Sequence, residues 1–205
     1  MEEHVETVFL SETEKQCEFA MNAVLGLNNV LERLNDPQNP AHSTLQAEVF
    51  RAVHSFLTHA SNVSRLLWPA PPRRYRKDSD NDNAKKLAAH APSSRAKALR
   101  ERMGLTPEHT LKSRRLRDHL EHFDERLDEW ERTSVRKNYA QDLIGPKNMI
   151  AGLDATDMMR WFDNTNNHFY FRGEEYDLQK LADAVGDVRK RAAQAIGELE
   201  DSSAR

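Results

Sequence analysis

Only one cysteine, Cys17, is present, so no internal disulfide can form, and its place on an apolar helical stripe makes it a packing residue before a reactive one. Glycine (7) and proline (8) are scarce in 205 residues, which argues against a turn-rich, sheet-dominated chain. No apolar run approaches the roughly 18 residues needed to cross a bilayer, so no membrane partner is expected. The first thirty residues carry Glu2, Glu3 and Glu6 where a secretory signal would be basic. A reducing, cytoplasmic location is the expectation. Also lacking are carboxylates spaced for a two-metal site and a phosphate-cradling glycine-rich loop ahead of a helix. Neither a metal nor another cofactor is therefore expected.

What the chain does have is charge: Asp, Glu, Lys and Arg make up 31% of it. The net charge is only −3, yet residues 71–120 hold 14 lysines and arginines against 6 acids. That asymmetry points to an anionic partner for the middle of the chain, nucleic acid first among them.

The rest of the pattern is helical. Ser11 and Glu14 resemble a capping box, with an earlier helix start left open, followed by Cys17, Ala20, Val24, Leu27, Leu31 and Leu34 at alternating spacings of three and four, a narrow bundle seam. Asn35-Asp36-Pro37 ends that helix. A second is predicted from about Ser43 to Trp68, with Leu45, Val49, Val53, Phe56, Ala60, Val63 and Leu67 on one face, antiparallel to the first. An exposed loop follows over about residues 69–83, containing Arg73-Arg74-Tyr75-Arg76-Lys77. That run could track an RNA backbone, although a plain soluble loop has the same composition. A short helical piece at 84–91 precedes a restart at Pro92-Ser93-Ser94, closed by Gly104. Thr106-Pro107 is a start signal for a helix continuing to about Ser134, with Leu116, Leu120, Phe123, Leu127 and Trp130 as its stripe. The aromatic runs Met159-Arg160-Trp161-Phe162 and His168-Phe169-Tyr170-Phe171 bracket the turn-forming Asp163 to Asn167 stretch and predict either a small β-hairpin, at about 159–177, or an aromatic-rich loop. Those aromatics could stack bases, but core or dimer packing is favoured. A last helix, about Asp177 to Glu200, carries Leu178, Leu181, Val185, Val188, Ala192, Ile196 and Leu199 on one side. The expected fold is all-α: one domain over 1–205, an up-and-down bundle of about five helices, with room for the small hairpin before the last.

Chemistry concentrates in Arg117-Asp118-His119-Leu120-Glu121-His122. With Arg117 at zero and about 100° per residue, the apolar stripe centres near −100°, while Arg114, Asp118, Glu121, His122 and Glu125 fall between about 40° and 140°. Arg117 and His122 thus lie off the core side with Asp118 between them, and His119 sits at the edge of the buried stripe. A histidine with an ordinary pKa of about 6.5 can take a proton from a ribose 2′-hydroxyl or give one to a leaving 5′-oxygen. Arginine forks onto phosphate oxygens and stabilises charge building at phosphorus. Asp118 could hold the arginine or orient the imidazole. An arginine followed by histidine after four to six residues occurs four times in the chain and discriminates nothing. Requiring Asp or Asn directly after the arginine, with histidine at the fifth position, leaves Arg117 to His122 alone.

An all-helical chain with Arg, then Asp or Asn, then three residues and His on an internal helix resembles the HEPN (higher eukaryotes and prokaryotes nucleotide-binding) superfamily. The resemblance implies a metal-independent endoribonuclease, as in toxin–antitoxin, abortive-infection and CRISPR systems, whose protomers pair to form one composite cleft. Arg117, Asp118 and His122 then inherit the catalytic roles, with Arg114, Glu121 and Arg126 as weaker substrate-binding candidates. It implies RNA as substrate, a homodimer, and an antitoxin or defence-system protein as a further partner. Some members carry a tyrosine four residues after the histidine. Here that position is Arg126, so the tyrosine's role is not implied. The competing expectation is a non-catalytic helical interaction module that binds a protein or RNA. Asp124, Glu125, Asp128 and Glu129 read as a solvated face with pairs such as Asp128 with Arg132, and His54 and His59 as ordinary helix residues, not zinc ligands.

Overall fold

The structure, a computed structural model, describes residues 1–36, 42–70, 82–106, 108–113 and 123–203. Among them α1 spans Glu3–Leu34, α2 His42–Leu67, α3 Asp82–Arg102, α4 Phe123–Thr133 and α5 Leu178–Ser203. The chain is predominantly helical but not all-α. A four-stranded mixed sheet, in the order β1 (Leu143–Ile144), β2 (Trp161–Asp163), β3 (His168–Phe171), β4 (Glu174–Asp177), stands where only a hairpin was expected.

α1 forms the centre of the helical layer. It starts at Glu3, with Glu3 and Glu6 in the first turn where carboxylates favour the positive end of the helix dipole. Ser11, read as a cap, is instead an interior helix residue, because the apolar seam already begins at Leu10 and continues through Cys17, Ala20, Leu27 and Val30. Two polar residues share this buried face and are matched: the Thr13 hydroxyl donates to the Phe9 carbonyl at 2.7 Å, and Glu6 pairs with Arg102 of α3 at 2.8 Å.

Side-chain pairs set the directions. Gln16 bonds His59 and Asn62 of α2, while Glu3 meets Ser203 and Glu18 meets Arg189 of α5. In α1 and α5 the numbers run oppositely, so these helices are antiparallel. All seven residues of the expected α2 seam are buried. A helix with that many Val, Leu and Phe side chains removed from water is held chiefly by burial, at about 1.5–3 kcal/mol for each large side chain.

Pro92 lies inside α3 and does not restart it. It removes one intrahelical hydrogen bond, but the C-terminal half is pinned by Ala96, Leu99 and Met103 in the core. Gly104, at φ +61°, ends the helix as expected: its N–H bonds the Glu101 carbonyl and the Leu105 N–H bonds the Arg100 carbonyl, the paired bonds of a Schellman turn.

The sheet separates two apolar layers. Phe162, Phe169, Phe171 and Tyr176 face the main helical core, and Trp161 and Tyr170 join Ala140 and Met158 on the other side. Alternation along each strand places neighbours on opposite faces, and because both faces are covered the aromatic runs are buried throughout. They form core, not a base-stacking platform. β1 runs parallel to β2, with Leu143 opposite Trp161, and β2, β3 and β4 are antiparallel. Arg172 and Gly173 join β3 to β4 with φ of +50° and +83°, the left-handed pair of a two-residue hairpin turn. Asp177 accepts the Lys180 N–H at 2.8 Å and caps α5.

Candidate functional site

Arg114, Arg117, Asp118, His119, Glu121 and His122 fall within 114–122, outside the described residues, as does Arg73 to Lys77. Of the sequence candidates only Arg126 is described. It lies on α4 and pairs with Glu129 at 2.8 Å and with Glu125 at 3.7 Å, the behaviour of a solvated helix face. The anticipated Asp128 to Arg132 pair is not among the ion pairs of the described residues.

The two ends of the motif segment are both visible, and the first corrects the sequence reading. No α-helix begins at Thr106. Residues Thr110–Lys112 make a single 3-10 turn, and Ser113 has an extended backbone, φ −61° and ψ 129°. Two local contacts explain the break. The Leu111 side chain is buried in the main core, and the His109 imidazole accepts the Leu111 N–H at 3.2 Å. His109 also stacks on Trp68, with centroids 5.1 Å apart and planes 17° from parallel. Burial holds this histidine below its usual pKa; nearby Asp187 opposes the shift and Arg191 adds to it.

At the other end Phe123, which directly follows His122, opens α4 and rests 5.8 Å from the Phe171 ring. Arg160 lies over it, its guanidinium carbon 5.6 Å from the ring centre. Arg160 itself pairs with Asp142, donating one hydrogen bond from Nη2 to Oδ2 at 3.0 Å, with Nε in ion-pair contact with Oδ1 at 2.7 Å. Asp142 adopts φ +57° and its carbonyl accepts the Gln46 side-chain amide. Beside the pair lies His54, edge-on to Phe169 at 6.3 Å. Burial, then Arg160, lowers its pKa against the pull of Asp142, and its buried Nε2 meets no partner among the described residues. Tyr139, also close, is raised by burial.

Phe123 directly follows His122 in the sequence, so this group marks the described end of the motif segment. Chemically, Arg160 is neutralised by Asp142, so the pair positions the 138–142 segment and the ring of Phe123 instead of offering a free cation. His54 is neutral near pH 7 and could accept or donate one hydrogen bond. The known proteins are silent. Comparisons with protein-family models, with curated proteins and with solved structures each find no match.

Sequence reasoning passed over Arg160 and Asp142, and treated His54 as an ordinary helix residue. Nothing in their spacing signals the cluster, because its members come from α2, the segment before β1 and the start of β2. His59 does behave as an ordinary helix residue, bonding Gln16 at 2.9 Å and packing on Phe19. No group of three or more metal-ligand side chains occurs among the described residues, and no helix there is long and apolar enough to cross a membrane.

Proposed function

We propose that the chain is a metal-independent endoribonuclease of HEPN type, a homodimeric toxin or phage-defence effector acting on single-stranded or loop RNA in the cytoplasm, with an antitoxin or defence protein as regulator. The observation that carries this reading is Arg117-Asp118 followed by His122 at helical spacing, the one place in the sequence where that pattern occurs. His122 is general acid or base, Arg117 clamps the phosphate as negative charge develops, and Asp118 orients them. Arg114, Glu121 and Arg126 serve the substrate from adjoining turns. Long helices before the motif and one after it support the assignment, with α1 antiparallel to α5 in the manner of an up-and-down bundle.

Purified protein in excess chelator should cut a mixed single-stranded RNA, and His122→Ala should lose cleavage while keeping its helical circular dichroism. Full cleavage by a pure His122→Ala preparation would sink the assignment. The second reading is a non-catalytic interaction module, favoured by the exposed Val5, Val8 and Phe19 on the outer side of α1. It predicts intact RNA and capture of a protein partner that Val8→Lys abolishes.

A further inference from the structure

A cavity of about 390 Å³ opens between the end of α2, α3 and the 3-10 turn that precedes the motif, lined by Trp68, Pro69, Ser93, Arg100 and Lys112. Its character is set by two cations and a hydroxyl, and among the described residues no carboxylate lines it. Arg100 spends one N–H on the Leu67 carbonyl and holds its guanidinium 5.9 Å from the Trp68 ring centre. That contact covers the negative end of α2 with a fixed positive charge. Among the described residues no ion pair engages Arg100, so its other donors remain available. Lys112 bridges to Glu108 at 3.0 Å, but Glu108 is 87% exposed, and such a pair yields readily to a better anion. Trp68 is only 7% exposed and its indole N–H is itself buried, so it contributes wall, and the polar groups lining the cavity are those of Arg100, Lys112 and Ser93.

Two cations and a hydroxyl suit an anion with several acceptor oxygens and disfavour a cation or a purely apolar ligand. Trp68 is not free to stack a base, because it is only 7% exposed and His109 already stacks on its ring. Ser93, Arg100 and Lys112 all belong to the strongly basic 71–120 region. Lys112 precedes Arg117 by five residues, which confines the two Cα atoms to within about 18 Å of each other by chain length alone.

We propose that this cavity is a phosphodiester-binding subsite that holds the backbone of an RNA strand a few nucleotides from the reacting bond. The identity of the polymer rests on the ribonuclease reading; the anion site does not. The test uses full-length His122→Ala protein, which binds without cutting, and a fluorescein-labelled mixed-sequence single-stranded RNA, with anisotropy followed across a salt series. Lys112→Gln should raise Kd by about 3- to 10-fold and flatten the slope of log affinity against log salt by about 0.7, the loss of one single-strand phosphate contact. Ser93→Ala should weaken binding less and leave the slope unchanged. Arg100→Lys, which keeps the charge but loses the fork, controls for the Leu67 contact, and its thermal unfolding separates lost folding from lost binding.

The outcomes discriminate. Unchanged Kd and slope in Lys112→Gln overturn the subsite while leaving cleavage to be judged on His122. RNA binding that depends on Lys112 in a protein whose wild-type form cuts nothing upholds the subsite and defeats the ribonuclease reading. Inorganic phosphate that binds in a Lys112-dependent way to a protein that ignores RNA overturns the polymer assignment. No binding of either ligand overturns the proposal entirely.

Discussion

Asp163 ends β2 and is only 4% exposed, and removing its carboxylate should loosen the sheet that supports Phe123. Its Oδ2 accepts the Lys147 N–H at 3.0 Å, tying the loop after β1 to the sheet. Its Oδ1 accepts both the Thr165 N–H at 3.0 Å and the Thr165 hydroxyl at 2.6 Å, closing the turn to β3. Burial pushes this carboxyl up, but the Thr165 hydroxyl, the two backbone N–H groups and nearby His168 together outweigh it and hold the pKa below the usual carboxylate value. Asp163→Ala leaves three donors without their acceptor. At about 1–2 kcal/mol each, with water repairing part of the loss at the turn, the cost should be about 2–4 kcal/mol. For a chain of this size that corresponds to a Tm lower by roughly 5–15 °C. Asp163→Asn keeps one acceptor oxygen but turns an NH₂ toward a donor, so it should fall between the two. The pH dependence has a definite sign. A folded-state pKa below the unfolded one stabilises fully above the unfolded value of about 3.9 and is lost as pH falls through the folded value. Urea unfolding at pH 7, 5, 4 and 3 should therefore show the gap between wild type and Asp163→Asn closing below pH 4. Equal stability at pH 7, or a gap that stays constant to pH 3, would refute the argument.

Other consequences are smaller or more local. Gly104→Ala must place a side chain at φ +61° in the turn that ends α3, and should cost about 1 kcal/mol by chemical denaturation. Cys17 is fully buried and its thiol is pushed up to about 12 by burial, so a thiol reagent at pH 8 should label the native protein only at the rate of its opening, and promptly in denaturant. His54, lowered by burial and then by Arg160, contributes stability that is complete above the unfolded pKa of about 6.5 and declines as pH falls toward its folded value. An imidazole NMR titration should find His54 below 6.5, and Arg160→Met should move it upward.

What was readable in the sequence tracks how local the determining interactions are. The α2 seam was legible residue by residue because seven apolar positions repeat with helical spacing and all seven are buried. The start of α1 is only partly legible: Ser11 and Glu14 imitate a cap, and the earlier start that the sequence leaves open is marked only by acidic residues in the first turn. Pro92 misled for a related reason: a lost hydrogen bond is a local penalty, and the burial of Leu99 and Met103 outweighs it. The hairpin is visible in its aromatic runs and in the turn-forming Asp163 to Asn167 stretch between them. The parallel partner β1 was not, since a two-residue strand beside Gly145-Pro146 has no periodicity of its own and is defined by pairing with Trp161 and Phe162. At the candidate site the Arg117-Asp118-His122 spacing is a property of sequence alone. The neighbouring Arg160, Asp142 and His54 group, and the cavity of Trp68, Arg100 and Lys112, come together only through tertiary packing of distant segments.

The ribonuclease reading commits to a 2′-hydroxyl nucleophile activated by His122 without a metal. The most direct measurement is cleavage, in excess chelator, of a single-stranded RNA and of the same strand with 2′-deoxyribose at the mapped cut position. The account predicts that wild type cuts the RNA to a 5′-hydroxyl fragment and spares the substituted strand at that position, and that Arg117→Ala and His122→Ala cut neither. Cleavage that passes through the 2′-deoxy position, or that persists in His122→Ala, would contradict it.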